Sequence, residues 1–510
     1  MHRMSKAGTL EGLSGLRAGR NLQFKPFAVA DNRRGANFDS VDQAGADIDA
    51  GFDMKWGVTS GLTFDGTFRT DFSQVEVDAE RVNLTRFPLF FPERREFFVE
   101  NSGSFVLGDV TERNYRAGSS LRDFTLFHSR RIGLIGGEPI PIIAGARLTG
   151  REGRFEIGVL DVQTEADRGL PPENFAVARV RRNFGASDAG VMFINRQATG
   201  SSGNGLYNRS FAADANVHVL DYMIVNAYVA RTDESAPVGG DPWAARVSVG
   251  WRDRVWDMGG FVKHVGDEFN PSVGFVRRRG IRHGYATVGA HPRPPIPFVQ
   301  EINPYGEIHY VTDLSSELLT LRGTLGFGVQ FLDGATLNIR YQNRTERLLE
   351  PDDVAGVPIP AGEYVTNDAA VTYQSSRGKP LSGRVTLAGG GFFNGTNYSV
   401  SGSALWRAHY KASFDIFATY SDVTLSGQSV DADVYGAGTR LAWSTKLFAR
   451  ASVQLNSQTD EMVTNVRLNW IYAPVSDVFL VYTERRLVRG GSSGLLARSV
   501  TAKVTKLLAF

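Results

Sequence analysis

Between Phe91 and Glu96 the chain reads Phe-Pro-Glu-Arg-Arg-Glu, two carboxylates and two guanidiniums at consecutive positions. Such a cluster has two chemical uses. Facing a passage, Glu93, Arg94, Arg95 and Glu96 would form a constriction that selects solutes by charge. Packed against protein, they would neutralise one another in a salt-bridge network that locks one segment to another. The second use is favoured, because pairing is how charged groups survive inside a protein. Glu100 and Asn101 could hydrogen-bond a sugar hydroxyl, or simply cap a turn. Arg130 and Arg131 add two cations to the same set of ligand or lumen candidates. Asp71, Glu76 and Asp78 lie along an extended piece. Three such carboxylates could hold calcium, but a hydrated wall explains them equally well, and no metal-ligand motif accompanies them. No metal is assigned.

Other chemistries are excluded or unsupported. With 0 cysteines there is no disulfide, thiolate zinc site, iron–sulfur cluster or cysteine nucleophile. The 8 histidines (His2, His128, His218, His264, His283, His291, His309 and His409) form no HExxH spacing. Neither GxSxG nor a phosphate-binding P-loop occurs. His128 and Ser129 are adjacent, so on a strand they would face opposite sides. A Ser–His or Asp–His constellation assembled in space stays open. No cofactor is implied. Lys plus Arg (56) nearly balances Asp plus Glu (54), and without a basic stripe there is no electrostatic case for nucleic acid, so no nucleic-acid partner is expected.

The elements that must position these groups announce themselves by a period of two. Ile48, Ala50, Phe52, Met54, Trp56 and Val58 alternate with Asp47, Asp49, Asp53 and Lys55. Leu62, Phe64, Phe68 and Phe72 alternate with Thr63, Asp65, Thr67, Arg69 and Asp71. The pattern recurs over 211–219, 319–331, 337–342, 412–420 and 465–472. Alternation over ten or so residues gives one apolar and one polar face. Soluble strands average about 5–6 residues, whereas a membrane strand needs about 9–11. Charges keep to one parity within each segment, as they must if the other parity meets lipid. Asp333-Gly334, Ser375-Ser376-Arg377-Gly378 and Asn394-Gly395 read as hairpin connectors. No amphipathic helix period appears. The count is about 24 strands, within a range of 20–26.

One stretch breaks the rhythm. Residues 73–139 include FPLFFPERREFFVENSGSF (87–105) and LFHSRRIGLIGGEPIPI (126–142). Pro88 and Pro92 rule out a central membrane strand there. The stretch is too aromatic for a disordered loop, and a barrel of more than 20 strands has a lumen to be filled. Residues 73–139 are therefore expected to form a luminal, plug-like insertion, with Arg94 and Arg95 paired to acids on the wall. Residues 1–20 read as a lead-in segment without the apolar core of a secretory signal. An exported barrel would then be shown mature or begin upstream.

The run DFSQVEVDAERVNLTRFPLFFPERREFFVEN (71–101) resembles the signature of an uncharacterised bacterial family, in which a domain of unknown function follows a family-9-type carbohydrate-binding module. LFHSRRIG (126–133), IPIIAGARLTGR (140–151), GDEFNPSVGFVRRRGIR (266–282) and RLNWIYAPVSDVFLVYTERR (467–486) resemble it too. One departure is Arg69-Thr70, where Asn-Pro would be expected. The resemblance spans nearly all of the chain and implies an envelope protein with a carbohydrate link. It carries over no catalytic residues.

The sequence thus specifies an all-β protein: a large antiparallel transmembrane β-barrel over 21–510, in the bacterial outer membrane. The leading expectation for function is glycan-linked binding or transport. The rivals are a hydrolase of glycan or lipid with its site at the barrel mouth, and an anchor presenting an N-terminal carbohydrate-binding module. Expected partners are outer-membrane lipid, possible carbohydrate, and the barrel-assembly machinery, which would read the last strand ending in Phe510.

Overall fold

The structure is a computed structural model that describes residues 21–35, 45–69, 80–109, 118, 120–135, 138–167, 169–200, 205–236, 239–488 and 494–510. The expected lead-in (1–20) lies outside the described residues, as do Asp71, Glu76 and Asp78.

The alternating segments become one closed wall of 24 antiparallel strands. Neighbours in sequence pair with one another. Leu22–Arg34 pairs with Gly45–Gly57 on one side and with Leu495–Thr505 on the other, and this second pairing closes the cylinder. Closure is required physically, since an unpaired strand edge would leave backbone groups unsatisfied in lipid. Strand lengths meet the spanning requirement, with 13 residues in Gly45–Gly57, 14 in Leu318–Phe331 and 15 in Val299–Asp313. Among the described residues no helix is long and apolar enough to cross a membrane.

The period of two decides which side chains face where. In Met223–Glu234, Asn226, Tyr228 and Thr232 are buried toward the lumen while Val229 is exposed. In Ala412–Leu425, Phe414, Ile416 and Tyr420 are exposed on the outer face. Trp56, Trp243, Trp256 and Trp406 are exposed near strand ends, where an aromatic girdle meets the membrane–water boundary. An apolar belt on a closed antiparallel barrel of this size is the architecture of the bacterial outer membrane, and the protein is located there.

Connections differ between the two ends. At one end they are short, such as 153–154, 185–186 and 410–411. At the other lie 35–44, 69–141, 266–280 and 349–361. The three expected hairpin connectors all fall between paired strands. Gly334 supplies the left-handed residue in the first, with φ 85°. Near Asn394-Gly395 the left-handed residue is instead Phe393, at φ 48°.

The stretch after Phe68 leaves the wall and rejoins it at Ile142. It holds one helical turn, Glu96–Val99, and the 3-10 turns Ser102–Phe105 and Ser129–Arg131. Phe124–Thr125 pairs with Phe275–Val276 from the long connection 266–280. The buried Phe98, Phe105, Leu107, Phe124, Leu126 and Ile132 share one apolar cluster with lumen-facing residues including Leu160, Val177, Ile194 and Tyr228. Each such side chain stabilises the docking by about 1.5–3 kcal/mol. A second cluster joins Val82 and Leu84 to the hairpin Asp352–Val354/Val357–Ile359 and to Val423 and Leu425.

Candidate functional site: a basic cavity between the inserted segment and the wall

The charged cluster from the sequence knits the inserted segment to itself. Arg95 Nη2 donates to Glu93 Oε2 at 2.6 Å, and Arg95 Nε to Glu93 Oε1 at 2.9 Å. Ser129 Oγ donates to Glu93 at 2.8 Å. The same guanidinium donates to the carbonyls of Ile132 and Ser129, both at 2.6 Å, and lies over the Phe98 ring. Burial alone would raise the Glu93 carboxyl, but the hydrogen bonds and charge of Arg95 hold it at about 2. Arg95 therefore finds an acid on its own segment, Glu93, two residues away in the chain. Arg130 donates to the Pro92 carbonyl at 3.2 Å, and Arg94 is half-buried in the same region. Arg131 is exposed. His128 stacks on Phe90, and burial pushes its imidazole down to about 4.

Further contacts tie the segment to the wall. Glu96 lies 3.9 Å from Lys25. Glu100 pairs with Lys55, and its carbonyl accepts from Arg147, whose guanidinium also holds Asp65 at 2.8 Å. Asn101 Nδ2 donates to Thr149 Oγ1 at 3.2 Å from a left-handed backbone, φ 53°. Glu100 Oε1 and Asn101 Nδ2 thus engage the protein, while both residues remain exposed.

Two sets of wall contacts had no signal in the sequence. Asp109 is fully buried, accepts from Tyr228 Oη and Lys263 Nζ at 2.8 Å each, and lies 3.9 Å from Arg246. On the far side, Asn456 Nδ2 donates to Glu80 at 3.3 Å and Gln454 Oε1 accepts from the Glu80 amide at 3.0 Å. Only the parity of Tyr228, Arg246 and Lys263 on their strands hinted at a shared inward face.

Between Arg86-Phe87 and the wall opens a cavity of about 310 Å³. Its rim is basic. Arg86 pairs with Glu346 at 2.7 Å and Asp352 at 3.4 Å. Arg277 pairs with Asp123 at 3.0 Å. Arg277 and Arg278 both approach the Phe87 ring, at 5.3 and 5.4 Å from its centre. Burial, with Arg86 and Arg277 nearby, pushes the Arg278 guanidinium down to about 10. Lys263, Arg322, Arg344 and the hydrogen-bonded pair His283–His309 also line it. Lys263, His283, His309, Arg322 and Arg344 each stand on a different strand, so no local sequence motif marks them as a group.

A histidine–carboxylate contact of the kind a hydrolase needs does occur. His264 Nε2 lies 2.6 Å from Asp241 Oδ2. His264 has the outward parity of its strand, opposite Lys263, and among the described residues no hydroxyl hydrogen-bonds to its ring.

Comparison with known proteins bears on fold and family. No curated protein sequence matches the chain. Solved structures similar to it include the siderophore receptor PirA from Acinetobacter baumannii, at 7% identity and TM-score 0.47, over 97% of this chain and 81% of that one. A point mutant of the ferric enterobactin receptor PfeA from Pseudomonas aeruginosa gives 9% identity and TM-score 0.47 over the same shares. The ferric yersiniabactin uptake receptor FyuA from Yersinia pestis gives 9% and 0.43, over 97% and 81%. Residues 20–137 match a family model described as a domain of unknown function, DUF5916. That span holds the first three wall strands and nearly all of the inserted segment, including Arg86 and Phe87. The chain is an outer-membrane β-barrel whose first part, residues 20–137, is similar to the domain of unknown function DUF5916.

Proposed function

We propose that the protein is a binding or transport barrel for small solutes, with residues 80–135 acting as a plug that closes its lumen. One observation carries this reading. The segment contacts wall strands around the circumference: Lys55 and Thr149, then Tyr228 and Lys263, then Glu346, then Gln454 and Asn456. A large barrel left open would be an aqueous channel, and a filled lumen allows controlled passage. The end with the long connections faces outward from the cell, since short turns belong to the periplasmic side of such barrels. The carbohydrate link implied by the family resemblance finds no support in Glu100 and Asn101, whose Oε1 and Nδ2 atoms are engaged by Lys55 and Thr149.

The test is single-channel conductance in planar bilayers, comparing the intact chain with a deletion of about 80–125. The deletion is expected to raise conductance. Unchanged conductance with a folded barrel places the segment outside the passage and ends the plug reading.

A further inference from the structure

The cavity beside Phe87 holds more positive charge than its carboxylates match. Its cations are Arg86, Lys263, Arg277, Arg278, Arg322 and Arg344. Arg86, Arg277 and Lys263 each meet a carboxylate, from Glu346, Asp123 and Asp109. Among the described residues Arg278 hydrogen-bonds the neutral hydroxyl of Thr320, at 2.9 Å, lies over the Phe87 ring, and has no ion pair. Among the described residues Arg322 and Arg344 have no hydrogen-bond or ion-pair partner, and the Arg322 Nε is buried without one. Glu307 lies diagonally from Arg322 on the adjacent strand, where its charge reaches that guanidinium without an ion pair or hydrogen bond; it is 3.3 Å from Tyr285 Oη and does not line the cavity.

The placement of these two guanidiniums is unfavourable as it stands. Arg322 and Arg344 are direct partners in the antiparallel pairing of Leu318–Phe331 with Thr336–Leu348. Like charges directly opposite across a strand pair destabilise it. A partly buried cation also needs a counter-charge to offset lost hydration. Such an arrangement is stabilised when an anion bridges both groups.

We propose that this cavity is a binding site for a small oxyanion carrying two or more negative charges, of the phosphate or carboxylate class, gripped by Arg322 and Arg344. The proposal deepens the reading of the barrel as a solute-binding or transport protein and rests on it. Guanidinium forks bind carboxylate and phosphate oxygens in bidentate fashion, so two opposed forks select for a doubly charged group. The cavity's 310 Å³ is at the lower end of small-molecule sites, which run from about 300 to 1,000 Å³. The site lies toward the long connections, since Arg277 and Arg278 stand on 266–280 and Asp352 on 349–361. Arg86 and Phe87 belong to the inserted segment, so a bound anion would touch both the segment and the wall.

The experiment is calorimetric titration of the full chain, folded in detergent micelles, with pyrophosphate, with citrate and with neutral maltotriose. Saturable binding of pyrophosphate alone supports the site and assigns it to phosphates. Binding of citrate alone supports it and assigns it to carboxylates, and binding of both supports the shared oxyanion chemistry. R322Q/R344Q is expected to weaken binding by about tenfold or more, and R322K/R344K by less, because charge is kept while the fork is lost. Heat-modifiable gel migration verifies that each variant is folded. The proposal is overturned by no saturable anion binding, by maltotriose binding as tightly as the anions, or by unchanged affinity in folded R322Q/R344Q. Conductance of the 80–125 deletion is read without ligand. Failure of the plug reading and failure of the anion site are therefore separate results.

Discussion

Lys263 Nζ donates to Asp109 Oδ2 at 2.8 Å, joining a wall strand to the inserted segment through a carboxylate with no exposed surface. Tyr228 shares that carboxylate, and Arg246 lies 3.9 Å away. Removing one member of such a buried set strands the others, at about 3–5 kcal/mol. D109A is therefore expected to loosen the segment while leaving the barrel intact. Limited proteolysis should cut within 80–135 faster, with heat-modifiable migration unchanged. D109A/K263M should recover part of the protection, since it removes a stranded cation. Equal cleavage of D109A and the parent would show that this contact does not hold the segment.

Phe52 and Asp53 are adjacent and face opposite ways. Phe52 packs on Phe24 and Phe68 on the outer face, while Asp53 accepts from Thr67 Oγ1 at 2.7 Å on the inner one. A cysteine at 53 should label with a water-soluble maleimide in native membranes more strongly than one at 52. The reverse order would mean that the two faces are exchanged. Met54→Arg, on the lipid parity, should cost about 2–4 kcal/mol and reduce the folded yield.

Glu93 gives the inserted segment a dependence on pH. Its carboxyl is held at about 2, below its ordinary 4.5. A carboxyl lowered in the folded state stabilises that state fully above its unfolded value, and the contribution fades as pH falls from about 4.5 to about 2. His128, lowered from 6.5 to about 4, acts in the same direction at higher pH, because its protonation favours the undocked state. Protease protection of 93–132 should therefore decline in two stages on acidification. E93Q should abolish the stage below pH 4.5 and keep the one above it. An E93Q profile that still falls below 4.5 would assign that stage to another group.

The last strand carries Val500 and Val504 on its exposed face and Thr501, Lys503 and Thr505 on its buried face. Phe510 is exposed, and its amide donates to the Leu22 carbonyl at 2.9 Å, next to the seam where the barrel closes. We propose that the barrel-assembly machinery reads this exposed aromatic at the seam. Deleting Phe510 from an export-competent version should lower the amount of heat-modifiable protein in outer-membrane fractions. An unchanged amount would leave Phe510 without that role.

The wall was legible in the sequence because its constraint is local. A strand between lipid and lumen must alternate, so Phe52, Asp53, Met54 and Lys55 declare their faces from their own order. The strand count followed from the same rule, and Pro88 and Pro92 marked a stretch that could not be wall. The mixed charges of 91–96 suggested a salt-bridge network to the wall, but not that Arg95 would take Glu93, two residues away in the chain. The cavity could not be read this way. Arg86, Arg278, Arg322 and Arg344 lie far apart in the chain and carry no common motif. Only the pairing register, which sets Arg322 opposite Arg344, and the return of the segment after Phe68 bring them together. Alternation assigns a residue to a face, but its neighbours on that face depend on how strands align and on what packs against them, and that is decided by tertiary structure.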